Sequence, residues 1–253
     1  MAEIEQGTYF TAETGRCVWR DVFTPEEAHL DSLSLTELEI SNTVSPEILY
    51  KDRETLLFNL KDPVKVFVDG TPRELSPLDV LYVPLDASFR VAHRGEGTGK
   101  LYIYRARAEK KHPVYHARWA ECSTTEKRIR RLKRKKVYLM FDVSEEADSF
   151  MAGYTFYDSY TRAWPPHNHT DQEEVYSFIR GRGAMSVYAD DENQTFIREV
   201  EEGSHITIPL LNYHPVFSHQ EPLAFIWCIA GKRYWVGDKN KDFMDGTAKT
   251  ITT

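Results

Sequence analysis

Helix-period patterns of apolar residues are scarce along the chain. Short β-branched and aromatic runs recur instead, cut by Pro, Gly, Asp and Asn, which is how an all-β barrel or sandwich reads. In the first half they are Thr36–Ile40, Thr55–Asn59, Val64–Val68, Val80–Val83 and Leu101–Arg105. In the second they are Met151–Tyr157, Glu174–Ile179, Ala184–Tyr188, Thr195–Val200, His205–Ile208 and Ala224–Ala230. Asp69-Gly70 after VKVFV is a strong hairpin-turn signal.

The halves look alike without gaps. ETLLFNLKDPVKVFVDG from Glu54 parallels EVYSFIRGRGAMSVYAD from Glu174, and LSPLDVLYVPLDASFRV from Leu75 parallels VEEGSHITIPLLNYHPV from Val200. This pattern predicts an internal duplication with two stacked barrels: one over 1–125, a basic linker over 126–136, and a second barrel over 137–253. After Glu126 the linker has eight Lys or Arg in ten residues. It reads as a solvated edge, a nucleic-acid patch, or a source of one arginine for a substrate carboxylate.

Composition narrows the function classes. At 253 residues, 41% hydrophobic and 13% aromatic, the chain can bury a large core. A formal charge of −7 argues against nonspecific binding to nucleic acid or acidic membranes. No signal peptide and no long apolar run is readable, so a cytoplasmic location without membrane contact is expected. Cys17, Cys122 and Cys228 lack CxxC spacing and read as reduced thiols.

Candidate chemistry gathers in two stretches. In WPPHNHTDQEEVYSFIRG, His167 and His169 are two apart, so in an extended strand both side chains leave one face. Glu174 opens the next strand and can meet them across a hairpin. In GSHITIPLLNYH a strand runs into Pro209, and a loop then presents His214. Three imidazoles and one carboxylate suit a divalent ion, with zinc the first expectation and Mn, Fe, Ni or Co open. By alternation Tyr176 shares the face of Glu174, while Tyr188, Trp227 and Tyr160 are lining candidates. Tyr176 and Tyr213 are candidate hydrogen-bond donors to substrate oxygens, and Arg162 and Arg180 are candidate carboxylate clamps.

These stretches resemble the two cupin motifs. The first, G(x)5HxH(x)3–4E(x)6G, fits His167, His169, Glu174 and Gly181, with Thr161 in place of the opening glycine. Glu173 fits the shorter gap, but only Glu174 leaves six residues before Gly181. The second, G(x)5PxG(x)2H(x)3N, fits Gly203, Pro209 and His214, with Leu211 for the loop glycine and Ser218 for the asparagine. PPHNHTDQEEVY, YHPV and FIWCIAGKRYWV further resemble the bicupin sugar-acid isomerases, which act on 5-deoxyglucuronate or 5-keto-4-deoxyuronate. The resemblance covers roughly residues 140–240. It implies a jelly-roll bicupin, a metal-dependent aldose–ketose isomerase with a small sugar-acid substrate, and a homo-oligomer, dimer or hexamer. Glu174, Tyr176 and Tyr213 are then the expected catalytic residues. The same ligand set also serves cupin dioxygenases and noncatalytic sugar-acid binders. The first half has Glu54 in line with Glu174 but no His-x-His, and Phe89 stands where His214 would, with His93 reading as a surface histidine. It is expected to be a barrel without metal.

Overall fold

The computed structural model describes residues 7–9, 15–162, 166–190 and 194–235, so Trp164 and Pro165 of the first motif lie outside the described residues. The chain divides into two compact units, residues 1–125 with 144–150, and residues 126–143 with 151–253. The first unit holds β1 (Gly7–Tyr9), β2 (Arg16–Phe23), α1 (Pro25–Ala28), β3 (Ser34–Ser41), β4 (Thr43–Val44), β5 (Arg53–Asn59), β6 (Val64–Val68), β7 (Thr71–Leu75), β8 (Val80–Val83), β9 (Phe89–His93), β10 (Gly99–Arg107), β11 (Tyr115–Ala117) and α2 (Trp119–Cys122). The second holds a 3₁₀ turn (Glu126–Arg128), then β12 (Ile129–Leu132), β13 (Lys135–Phe141), β14 (Met151–Tyr157), β15 (Gln172–Arg180), β16 (Arg182–Tyr188), β17 (Gln194–Glu201), β18 (His205–Ile208), β19 (Val216–Ser218) and β20 (Leu223–Gly231). Both are jelly-roll cupin barrels, as the resemblance to the cupin motifs implies.

The duplication is written in the sheet orders. In the first unit a large sheet runs β1-β2-β3-β10-β5-β8-β11 against a small one, β4-β9-β6-β7. In the second the orders are β12-β13-β14-β20-β15-β18 and β17-β16-β19. Thus β3-β10-β5-β8 repeats as β14-β20-β15-β18. Alternate residues of each large sheet fill a barrel: Trp19, Leu38, Leu57, Leu81 and Ile103 in one, Leu139, Met151, Phe178, Phe225 and Ile229 in the other. Burying each such side chain favours folding by about 2 kcal/mol. Asp69 and Gly70 both take positive φ, 45° and 79°, as a tight hairpin turn requires.

Register corrects three expectations. Thr55 pairs with Val83, the last residue of β8, as Glu174 pairs with Ile208, the last residue of β18. Thr55, rather than Glu54, therefore stands at the Glu174 position, and Glu54 falls on the opposite face. There its buried carboxylate accepts from Tyr82 Oη at 2.8 Å, the amides of Asp148, Ser149 and Phe150 at 3.0, 2.8 and 3.1 Å, and Ser149 Oγ at 2.6 Å. These bonds fasten segment 144–150 into the first unit. Next, the basic run is no free linker: its residues form the 3₁₀ turn and the β12–β13 hairpin of the second unit. Finally, His93 is buried, with Nδ1 accepting from the Asn42 amide at 3.3 Å. Cys17, Cys122 and Cys228 are free and buried, and burial pushes the Cys17 thiol up to about 11. Among the described residues no helix is long and apolar enough to cross a membrane.

Replacing Glu54 by Ala strands several buried donors at once. The expected loss is about 3 kcal/mol of stability, each orphaned group costing on the order of 1–3 kcal/mol. Chemical denaturation of E54A against the wild type reads it directly.

Candidate metal centre

Four side chains of the second unit converge. His167 and His169 come from the irregular segment before β15, not from a strand, and Glu174 is the third residue of β15. His214 comes from the loop between β18 and β19. One ligating atom of each of the three imidazoles lies within 4.8 Å of the others. Ring centroids are 5.1 Å apart for His167 and His169, 4.4 Å for His167 and His214, and 5.3 Å for His169 and His214. Glu174 Oε2 lies 3.4 Å from His169 Nε2 and 3.2 Å from His214 Nε2. Glu173 lies on the other face of β15, and Glu174 alone of the two faces the histidines.

The tautomers follow from the neighbours. His169 Nδ1 sits 2.7 Å from Gln172 Oε1, and His214 Nδ1 sits 3.0 Å from the Asn212 carbonyl. Gln172 donates its own Nε2 to the carbonyls of Lys232 and Tyr234, which fixes its oxygen toward His169. Both acceptors require N–H at Nδ1, so both Nε2 atoms present lone pairs. His169 Nε2, His214 Nε2 and Glu174 Oε2 are buried without a hydrogen-bond partner. Three buried electron-rich atoms facing one another fit a cation. The imidazoles and the carboxylate also shift one another's charge. Burial disfavours an imidazolium at His169, yet Glu174 and Gln172 hold its pKa above the usual value. Burial likewise works against the Glu174 anion, but His169 and His214 keep its carboxyl below the usual range. His167 is pushed well below its ordinary value by burial, then by the other two histidines and by Lys135.

The departures from the cupin motifs leave this geometry intact. Leu211 takes φ 64°, the left-handed conformation of the glycine it replaces, at a cost of roughly 1–2 kcal/mol. Its amide donates to the His169 carbonyl at 2.7 Å, tying the two motif loops together. Thr161 and Ser218 meet: the Thr161 amide donates to Ser218 Oγ at 2.8 Å and the Ser218 amide to the Thr161 carbonyl at 2.8 Å. Two substituted motif positions thus complete each other's hydrogen bonds.

Of the other expected site residues, Tyr176 faces inward 5.6 Å from the His214 ring. Burial first, then Glu174 and Tyr157, raise its pKa well above the usual phenol value, so its hydroxyl keeps its proton. Trp227 pairs with Tyr176 across the sheet, and its buried Nε1 has no partner among the described residues. The indole has room because Gly153 lies beneath it, where a Cβ would come 2.7 Å from the ring. Tyr213 and Tyr188 stack at 5.4 Å beside His214. Tyr160 is 72% exposed, which removes it from the lining. Arg162 is exposed as well. A bulge pairs Phe178 with Phe225 but Arg180 with Ala224, which turns Arg180 off the inner face. Arg180 instead borders a cleft of about 400 Å³ with Arg131, Arg134, Lys135 and Lys136. Gln172 and Asn212 were not singled out from sequence. A polar residue three after the second histidine was the available signal for Gln172.

Comparison with known proteins agrees with this fold. An IolB-like protein from Salmonella typhimurium LT2 superposes with a TM-score of 0.71 at 16% identity, covering 84% of this chain and 89% of its own. Oxalate decarboxylase of Bacillus subtilis, studied for its Mn(II) centres, gives 0.68 at 14% identity over 90% of this chain and 76% of its own. A putative glyoxylate-induced protein from Pseudomonas aeruginosa gives 0.66 at 14% identity, over 92% and 95%. No curated protein matches the sequence. The sequence signature described as the KduI/IolB family matches residues 9–245. With nearly the whole sequence spanned by that signature and both halves folded as cupin barrels, the chain belongs to the KduI/IolB family.

Proposed function

We propose that the chain is a metal-dependent aldose–ketose isomerase acting on a deoxy uronate-type sugar acid, with 5-deoxyglucuronate the first candidate. The observation that carries this reading is the set of partnerless lone pairs on His169, His214 and Glu174, closed by His167 and opening beside Tyr176 and Trp227. Family membership supports sugar-acid isomerisation as the reaction class.

His167, His169, Glu174 and His214 would hold one divalent ion, zinc being the first candidate. Once bound, such an ion supplies Lewis acidity to a carbonyl and its neighbouring hydroxyl as enediolate charge develops. The chain's own residues do the rest. Tyr176, kept protonated, donates a hydrogen bond to a substrate oxygen. The Trp227 indole N–H is a second donor, buried and held in place over Gly153. Tyr213 and Tyr188 form a stacked wall beside His214. His169, Glu174 and His214 are buried, which strengthens each of these contacts.

The direct test is NMR of metal-analysed protein with 5-deoxyglucuronate and with 5-keto-4-deoxyuronate while dissolved oxygen is monitored. Conversion of one of them without oxygen uptake is expected; oxygen uptake instead would make the chain an oxygenase. His167→Ala and His214→Ala are each expected to lose most bound metal while keeping the native circular dichroism spectrum. Stoichiometric metal in both variants would remove the site. Gln172→Ala, which frees the His169 ring, should weaken metal affinity by roughly 10–100-fold. Tyr176→Phe should keep its metal and lose about 10²-fold in kcat.

A further inference from the structure

The metal centre makes no use of the basic run of the second unit, and strand register gives that run a floor. Arg131 pairs with Lys136, Lys136 with Phe156, Phe156 with Ala224, and Ala224 with Arg180. Side chains of directly paired residues leave the same face of a sheet, so these form one row across β12, β13, β14, β20 and β15. Arg131 and Lys136 stand on one side of Phe156 and Ala224, and Arg180 stands on the other. Three strand spacings separate Lys136 from Arg180, about 14 Å between backbones, a gap that two long side chains narrow to the size of a small molecule. The row borders the cleft of about 400 Å³, a volume in the range of small-molecule sites.

The cleft gathers positive charge that the chain itself does not neutralise. Arg131, Arg134, Lys135, Lys136 and Arg180 line it against one carboxylate, Asp158. Glu126 engages Arg131 through two hydrogen bonds at 3.1 and 3.2 Å, and Arg134 donates to the Ser159 carbonyl. Among the described residues Lys136 and Arg180 have no ion pair. Lys135 has none either, its ammonium lying 5.7 Å from the Tyr157 ring. Burial pushes the Lys135 amine down to about 8, as expected of a cation that has lost water without gaining an anion. The formal charge of the whole chain is −7, so this surplus is local to the cleft.

The metal centre lies elsewhere. Glu174 pairs with Ile229 and Arg180 with Ala224, five residues apart along β20, or roughly 17 Å. None of His167, His169, Glu174 and His214 lines the cleft. We propose that the cleft is a second binding site, taking a small organic phosphate whose phosphoryl oxygens meet Lys136 and Arg180 and whose apolar body rests on Phe156. Phosphate suits it better than a single carboxylate. A dianion answers two separated cations, and a guanidinium fork grips phosphoryl oxygens bidentately.

The test is isothermal titration calorimetry of the metal-loaded full chain with phenyl phosphate, inorganic phosphate and benzoate. Salt at about 0.15 M screens diffuse attraction. Phenyl phosphate should bind one per chain, and tighter than the other two, which lack its ring or its phosphoryl group. Arg180→Met and Lys136→Met should each weaken it by roughly 10-fold or more, the value of a hydrogen bond to a charged group. Lys133→Met, a change at the exposed tip of the same hairpin and outside the cleft, should alter nothing. His214→Ala, expected to lose most of its metal, should bind phenyl phosphate as the wild type does. Equal affinity for inorganic phosphate or for benzoate would overturn the organic-phosphate assignment. Absence of binding, its loss in H214A, or equal weakening in K133M would overturn the site.

Discussion

The second barrel is organised around a cluster of buried acceptor atoms. Two imidazole nitrogens and a carboxylate oxygen face one another at 3.2–3.4 Å with no proton donor between them. Left to themselves such atoms would separate or take up a proton. Second-layer contacts hold them in place. Gln172 holds His169, the Asn212 carbonyl holds His214, and the carbonyls of Lys232 and Tyr234 hold Gln172. The strain at Leu211 belongs to the same construction, since its amide joins the two ligand loops. A cation at the centre converts all of this from a cost into a bonding arrangement.

The first barrel shows what the same topology does without that constraint. At the register of Glu174 it has Thr55, and the inner face nearby carries an ion pair instead of lone pairs. Arg105 Nη2 lies 3.1 Å from Asp21 Oδ1 and 2.8 Å from Thr36 Oγ1, with its guanidinium 5.0 Å from the Tyr50 ring centroid. A fixed guanidinium repels a divalent ion, and here it meets the Asp21 carboxylate in the place of one. The neighbouring carboxylate, Glu54, faces the opposite way and fastens the 144–150 segment.

Much of this was legible in the sequence because it rests on short-range rules. The strand runs and the Asp69-Gly70 turn are local features, and each appears as read. The misreadings arise where one residue of register decides a face. A gapless alignment placed Glu54 opposite Glu174, but the strand pairing runs one residue later, which turns Glu54 outward. A bulge after Phe178 reverses Arg180 in the same way. The altered motif positions could not be judged alone, because Thr161 and Ser218 repair each other across 57 residues of sequence.

The account stands or falls on a cation bound by three imidazoles and one carboxylate. X-ray absorption spectroscopy of the purified, metal-loaded protein reads that ligand set directly. The expected spectrum shows three imidazole nitrogens and one carboxylate oxygen, with the remaining positions taken by exchangeable oxygen, and loses one imidazole in the His214→Ala protein reloaded with metal. A sulfur shell, or a spectrum unchanged in that variant, would contradict the site.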